Sequence, residues 1–524
     1  MKLIRIGWMA GLGMSLGAFA AGAGITTHPL TQAASRQTAA AGAGRIVRIN
    51  LHAPTRPFPH YWERMFGSGR AILALRQSYR RDLTAVHRAT GFGYIRFHGI
   101  FDRGVGLYHL APDGRPIYNW TYVDQIYDGL LKRGVRPYVE LSFMPRQLAA
   151  NPTRQGFWYH PFIAPPKSYR QWGSLIRHFA RHLVERYGLA EVSRWYFEVW
   201  NEPNIGFWAG VPKQASYFRL YDAAARAIKS VSPELRVGGP ATAQAAWVGR
   251  FIAHCVRHQV PVDFVSTHVY GNDTPKVIGA THPVSRQVLV ALAVAKVYRE
   301  VKASARPDLP IIFSEYNASY SNEVSVTDSP FMGPWLANTI RLCAGKTKIM
   351  SYWAFSDVFE EQGVKHTPFY GGFGLMAEGH IPKAAFNAFR LLHELGTRRL
   401  PVASDAALAT LDADGNAAIA VWNYAPARGG GAPRRFELRF PGLQHARRAY
   451  IQVLDATHGN ALAAWRAMGS PAFPTRAQTR SLRRAARLGV PRLAGVAPEH
   501  PSLKLSLPPY GLALIRLRNG RARR

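Results

Sequence analysis

Between residues 45 and 395, short runs of β-branched and aromatic residues alternate with longer stretches whose apolar positions recur every three or four residues. The first pattern belongs to buried strands and the second to helices with one apolar face. The strand candidates are Ile46–Leu51, Tyr94–His98, Arg136–Leu141, Trp195–Val199, Arg236–Gly239, Phe264–Tyr270, Ile311–Glu315 and Ile349–Phe355. Helical stretches lie between them. Tyr217–Val231 carries Leu220, Ala223, Ala224 and Ile228 at helical spacing, with Pro233 just beyond as a stop. Ser168–Tyr187 and Val288–Val301 follow the same pattern, and Ser168 stands where an N-cap belongs. Regular alternation argues for a parallel sheet of βα units. Eight strands in roughly 350 residues predict an α/β fold, a (β/α)8 TIM barrel with long loops. A doubly wound sheet is the alternative, but no glycine-rich dinucleotide fingerprint follows the first strand.

After residue 396 the periodicity changes to short alternating strands at Ala417–Tyr424, Phe436–Phe440, Ala449–Asp455, Leu503–Leu507 and Gly511–Leu517. Asp414-Gly415-Asn416 forms a hairpin-type turn before the first. This predicts a small accessory β-sandwich over residues 396–517, packed on a barrel over 45–395. A basic, alanine-rich insertion of helix and loop interrupts it at 456–500, and residues 518–524 read as a basic tail.

The first residues follow another logic. Lys2 and Arg5 precede an apolar stretch from Ile6 to about Ala20, and Ala18-Phe19-Ala20 and Ala21-Gly22-Ala23 offer small-x-small cleavage sites. Residues 1–23 are therefore expected to be a signal peptide and 24–44 a flexible lead-in, which makes the protein exported, periplasmic or secreted. The run is too short and glycine-rich for a membrane span, and no other segment could cross a bilayer.

Composition refines this picture. The chain of 524 residues is 47% hydrophobic and 19% charged, a globular balance with room for one large domain and a smaller one. Export permits disulfides, yet Cys255 and Cys343 fall in separate helix-like segments, so two buried free thiols are expected. The formal charge of +35 attracts polyanions. Nucleic acid is set aside for lack of any binding motif and because of the export signal. An acidic polysaccharide or an anionic envelope suits the charge better, and an arginine-rich source or acid adaptation explains it without a partner. None of the 19 histidines forms a metal-type spacing, so neither metal nor cofactor is expected.

Barrel enzymes place their chemistry at the carboxyl ends of the strands. Strand four runs from Trp195 into Asn201-Glu202-Pro203-Asn204, and strand seven runs from Ile311 into Glu315-Tyr316-Asn317. Each sets a glutamate where an apolar strand opens onto the top face. Two such carboxyls suffice for glycoside hydrolysis, one protonating the departing oxygen and the other attacking the anomeric carbon or activating water. Double displacement requires them about 5–5.5 Å apart. Asn201 can bind the sugar 2-hydroxyl and hold it more tightly as the oxocarbenium ion develops.

The segments Phe197-Glu198-Val199-Trp200-Asn201-Glu202-Pro203-Asn204 and Ser314-Glu315-Tyr316-Asn317-Ala318-Ser319-Tyr320 resemble the signatures of glycoside hydrolase family 39. So do Tyr94–Gly99, Val265–Tyr270 and the run from Ser351 to Glu361. The likeness covers about residues 60–395 and leans toward the β-xylosidase branch rather than the α-L-iduronidases. It implies Glu202 as acid/base and Glu315 as nucleophile. It also places His98, His268, Tyr270, Trp353 and Glu361 at pocket positions beside Asn201, with Glu361 or Glu360 binding a hydroxyl remote from the scissile bond, and an oligosaccharide or polysaccharide as partner. The implied activity is a retaining exo-glycosidase, a β-1,4-xylosidase. A glycosidase for another sugar or an envelope polysaccharide, and a non-catalytic carbohydrate-binding protein, are the alternatives.

Overall fold

The computed structural model describes residues 45–519. The expected signal peptide and lead-in lie outside these residues. The centre is a closed barrel of eight parallel strands. In order they are Met65–Arg70, Tyr94–His98, Arg136–Leu141, Tyr196–Val199, Arg236–Thr242, Phe264–Tyr270, Ile311–Asn317 and Ile349–Tyr352. Helices such as Tyr169–Tyr187, Lys213–Lys229 and Arg286–Lys302 follow individual strands. The Ser168 hydroxyl caps the first of these by accepting from the Gln171 amide.

The first strand differs from expectation. Ile46–Leu51 does not open the barrel. Arg45–Arg48 pairs instead, in parallel, with Arg434–Arg439 of a three-stranded sheet completed by Ser502–Leu507. The barrel opens at Met65-Phe66-Gly67-Ser68-Gly69-Arg70. Its glycines lower β-propensity and conceal the strand from a pattern search. They are required by packing: a Cβ on Gly67 would lie 2.1 Å from the Trp353 ring, and one on Gly69 2.4 Å from the Phe359 carbonyl oxygen.

A second sheet of seven strands runs Arg56–Pro57, Arg398–Arg399, Ala407–Leu411, Ala417–Trp422, Leu512–Asn519, Arg447–Leu454 and Arg492–Val496. The N-terminal segment thus belongs to both sheets of the accessory layer before the chain enters the barrel. The helix Met332–Cys343 packs against the seven-stranded sheet at Gly333, where an added Cβ would meet Leu454 and Leu512 at 3.2 Å. Residues 456–500 form two helices, Ala461–Ala467 and Arg476–Ala485, and a strand, Arg492–Val496, that the alternation had not predicted. Leu462, Leu482 and Ala486 of this insertion pack on Phe369, Ala377 and Ile381 of the loop after barrel strand eight. Arg518 and Asn519, expected in the basic tail, instead pair with Arg448 and Arg447 at the end of the last strand, and the rest of that tail lies outside the described residues. Cys255 and Cys343 are buried free thiols, as expected. No helix among the described residues is long and apolar enough to cross a membrane.

Candidate active site

The barrel interior is layered. At the bottom, Met65, Tyr138, Tyr196, Phe264, Ile312 and Ile349 form an apolar plug. Two residues further along the strands the inward positions turn polar: Arg96, Glu140, Glu198, Ser266 and Ser314, all buried. Side chains point inward at every second strand position, so this layer carries the next layer above it. That upper layer holds His98, Asn201, Glu202, His268, Tyr270, Glu315 and Trp353.

Strict alternation on strand seven would send Ser314 inward and Glu315 outward. A one-residue register shift intervenes: Thr267 is opposite Phe313, but His268 is opposite Glu315. This bulge re-aims Glu315 into the barrel, while the Ser314 hydroxyl stays within 3.1 Å of His268 Nε2. On strand four, Trp200 and Glu202 adopt left-handed φ values of 73° and 44° on either side of Asn201. Residues with side chains enter this region at a cost that neighbouring structure must offset. Here the Glu202 amide donates to the Ala241 carbonyl at 2.8 Å.

Arg96 organises the centre. It donates to Glu198 at 2.6 Å, to Glu315 at 2.7 Å and to the Asn201 side-chain oxygen at 2.9 Å. A further ion pair joins it to Glu140 at 2.7 Å. With its oxygen occupied, the Asn201 amide presents its NH2 group as a donor. The Tyr270 hydroxyl donates to the other Glu315 oxygen at 2.6 Å. His98 Nδ1 lies 2.7 Å from Glu140, and its Nε2 faces Glu361 at 3.5 Å. His268 Nδ1 lies 3.0 Å from Glu202 and 3.6 Å from Glu315. Single oxygens of Glu202 and Glu315 and a ring nitrogen of His268 all fall within 4.8 Å of one another.

The electrostatics separate the two glutamates. Burial, then the charge of Glu315, holds the Glu202 carboxyl well above its ordinary pKa. Burial also lifts Glu315, but Arg96, His98 and the Tyr270 hydroxyl work against it. The shared proton therefore belongs on Glu202 and the negative charge on Glu315. Burial disfavours charge on His98, but Glu140, with Glu361 and Glu315, overrides it and lifts that pKa to about 10. His268 goes the other way: burial, with Arg96 and His98 nearby, keeps it neutral. A protonated carboxyl beside an ionised one at this separation is the arrangement that cleaves acetals with one group as acid and the other as nucleophile.

Most of the residues expected at the site converge there. His98, Asn201, Glu202, His268, Tyr270 and Glu315 form one cluster joined by hydrogen bonds and by polar contacts of 3.6 and 3.9 Å from His268 and His98 to Glu315. Trp353 stands immediately after strand eight, its ring 4.8 Å from that of His98. Glu361 reaches the cluster through His98, and its buried Oε1 makes no hydrogen bond among the described residues. Glu360 turns elsewhere. It pairs with Arg70 at 2.9 Å and with Arg76. Arg70 in turn lies over the rings of Trp158 and Tyr159, so Glu360 braces the loop rather than joining the cluster.

Sequence reasoning passed over Arg96, Glu140 and Gly67. A signal existed: Ile95-Arg96-Phe97 and Val139-Glu140-Leu141 each set one charge within an apolar strand at inward parity.

The profile of glycosyl hydrolases family 39 matches residues 45–492. The chain belongs to this family. A β-xylosidase of Geobacillus stearothermophilus is 38% identical over 436 residues, spanning 81% of this chain and 86% of that protein. One of Caldicellulosiruptor saccharolyticus is 34% identical over 91% of this chain and 99% of its own length. The crystal structure of a monomeric β-xylosidase from Caulobacter crescentus superimposes with a TM-score of 0.82 at 34% identity, covering 91% of this chain and all of that one. The protein is a glycosidase acting on carbohydrate.

Arg96 gives a direct test of this electrostatic arrangement. Arg96→Met leaves Glu198 buried without its counter-charge and Glu140 with His98 alone. It is expected to cost about 3–5 kcal/mol in urea unfolding, the penalty for breaking a buried ion pair from one side. Arg96→Lys is not expected to restore the loss, because one ammonium cannot reproduce the guanidinium fork. Wild-type stability in Arg96→Met would show that the cluster is solvated and the central role assigned to Arg96 is wrong.

Proposed function

We propose that the protein is a retaining, exo-acting β-glycosidase that releases xylose from β-1,4-xylo-oligosaccharides. The observation that carries the mechanism is the pair of carboxylate oxygens, from Glu202 and Glu315, within 4.8 Å. That spacing suits double displacement, whereas inversion needs roughly 6.5–9.5 Å for an intervening water. In the first step a Glu315 oxygen attacks the anomeric carbon as Glu202 passes its proton to the departing glycosidic oxygen. The product is a glycosyl ester on Glu315. With the Glu315 charge gone, the Glu202 pKa falls, and the carboxylate takes a proton from water as the water attacks the same carbon. Hydrolysis regenerates both groups.

The other side chains suit this sequence. Asn201 donates to the 2-hydroxyl, Tyr270 holds the attacking oxygen in line, and Trp353 forms an apolar floor under the ring. His98 and Glu361 bind hydroxyls remote from the scissile bond. The sugar is inferred from the β-xylosidases that resemble this chain over most of their length. Export is inferred from the charged and apolar pattern of residues 1–23. A panel of nitrophenyl glycosides tests the sugar: β-xyloside, β-glucoside, β-galactoside, α-L-arabinoside and α-L-iduronide. The β-xyloside is expected to have the highest kcat/KM. A tenfold preference for any other member overturns the assignment of xylose.

A further inference from the structure

Far from the catalytic cluster, at the amino-terminal ends of the barrel strands, three side chains meet: His60, Glu63 and His393. Glu63 lies just before strand one, and His393 ends the helix Ala384–His393 that follows strand eight. Glu63 Oε1 lies 2.5 Å from His60 Nδ1 and 2.8 Å from His393 Nδ1. The other nitrogen of His60, Nε2, is 2.8 Å from the Leu395 carbonyl oxygen. A carbonyl only accepts, so Nε2 carries a proton, and the close approach of Nδ1 to the carboxylate, itself an acceptor, needs a cation between the two: a second ring proton or a metal ion in its place. An imidazole that donates one ring N–H to a backbone carbonyl and aims its other nitrogen into a cluster of possible ligands is oriented as metal-bound histidines are. A second observation points the same way. Glu63 is 3% exposed, and its Oε2 has no hydrogen-bond partner among the described residues.

We propose that His60 Nδ1, His393 Nδ1 and the Glu63 carboxylate bind one divalent transition-metal ion of the zinc class. Two imidazoles and a carboxylate form a borderline donor set suited to zinc, and a bidentate Glu63 would give four ligand atoms and use the orphaned Oε2. Ligand distances of about 2.0–2.2 Å require the three groups to open by less than about 1 Å. The ion ties the start of the first barrel strand to the last barrel helix. Its role is to clamp the two ends of the barrel, away from the chemistry.

The test uses the full chain stripped with a chelator and then given Zn2+. Wild type is expected to retain one zinc per chain by elemental analysis after gel filtration. His60→Gln and His393→Gln should retain less than a tenth of that, and Glu315→Gln should match wild type. At about a hundred times the Kd, zinc should raise the unfolding midpoint by about 2–4 °C in wild type and Glu315→Gln only. Should either histidine variant fail to fold, diethyl pyrocarbonate labelling of wild type decides: zinc is expected to protect His60 and His393. No stoichiometric uptake, uptake that survives both histidine changes, loss of uptake in Glu315→Gln, or labelling of His60 and His393 unaffected by zinc each overturns the proposal.

Discussion

Glu315→Ala is expected to lose on the order of 10⁵-fold or more in kcat for aryl β-glycosides, because removing a covalent nucleophile removes the pathway rather than one contact. The loss should be chemical and not structural. The alanine variant relieves a charge that burial disfavours, so the fold should hold, and circular dichroism with a urea titration checks this. The space vacated beside Arg96 and the Tyr270 hydroxyl, which contact Glu315 at 2.7 and 2.6 Å, is a ready site for a small anion. Added azide should therefore restore turnover of activated substrates and form the α-glycosyl azide, with configuration inverted relative to the β-substrate. Turnover within tenfold of wild type, or a β-glycosyl azide, would remove Glu315 from the nucleophile's role.

The barrel was legible because its strands are apolar and its helices amphipathic, and that is why seven strand positions agree between pattern and structure. The first was hidden by the packing that makes it work. Gly67 and Gly69 exist to admit Trp353 and the Phe359 backbone, so the strand lacks the branched and aromatic residues by which strands are recognised. The segment mistaken for it, beginning at Ile46, has a period-two pattern that belongs to a sheet elsewhere in the molecule.

The two glutamates were legible for a different reason. Each follows an apolar strand at its carboxyl end, where a charge is anomalous unless it has work to do. Their pKa difference was not legible, because it arises from residues distant in sequence. Arg96 and Glu315 lie 219 positions apart, and His268 and Glu202 lie 66 apart. Nor does alternation place Glu315 inward; the register shift opposite His268 does. Glu360 and Glu361 show the same limit at neighbouring positions. Nothing local distinguishes them, and only the fold delivers one to Arg70 and the other to His98.

Glu202→Ala should divide substrates by leaving group. A general acid contributes about 10²–10⁴-fold where the departing oxygen needs a proton, so xylobiose should lose on the order of 10³-fold or more in kcat/KM. A dinitrophenyl xyloside needs little protonation and should lose less than about tenfold in kcat/KM, while kcat falls further because the base of the second step is missing. The glycosyl ester then accumulates, visible as a burst of phenol and as a mass adduct on Glu315. Azide should restore kcat here too, but with the β-glycosyl azide as product, opposite to Glu315→Ala. The pH profile adds an independent check. The Glu202 pKa is raised by burial and then by Glu315, so the acid form is present below that raised value and is lost as pH rises through it. Wild-type kcat/KM should accordingly fall on the alkaline side. In Glu202→Ala that limb should disappear for the dinitrophenyl substrate, while the acidic limb, set by protonation of Glu315, remains. Equal losses on both substrates, or an unchanged alkaline limb, would mean that the proton reaching the leaving group comes from elsewhere, and neutral His268, 3.0 Å from Glu202, would be the next group to test.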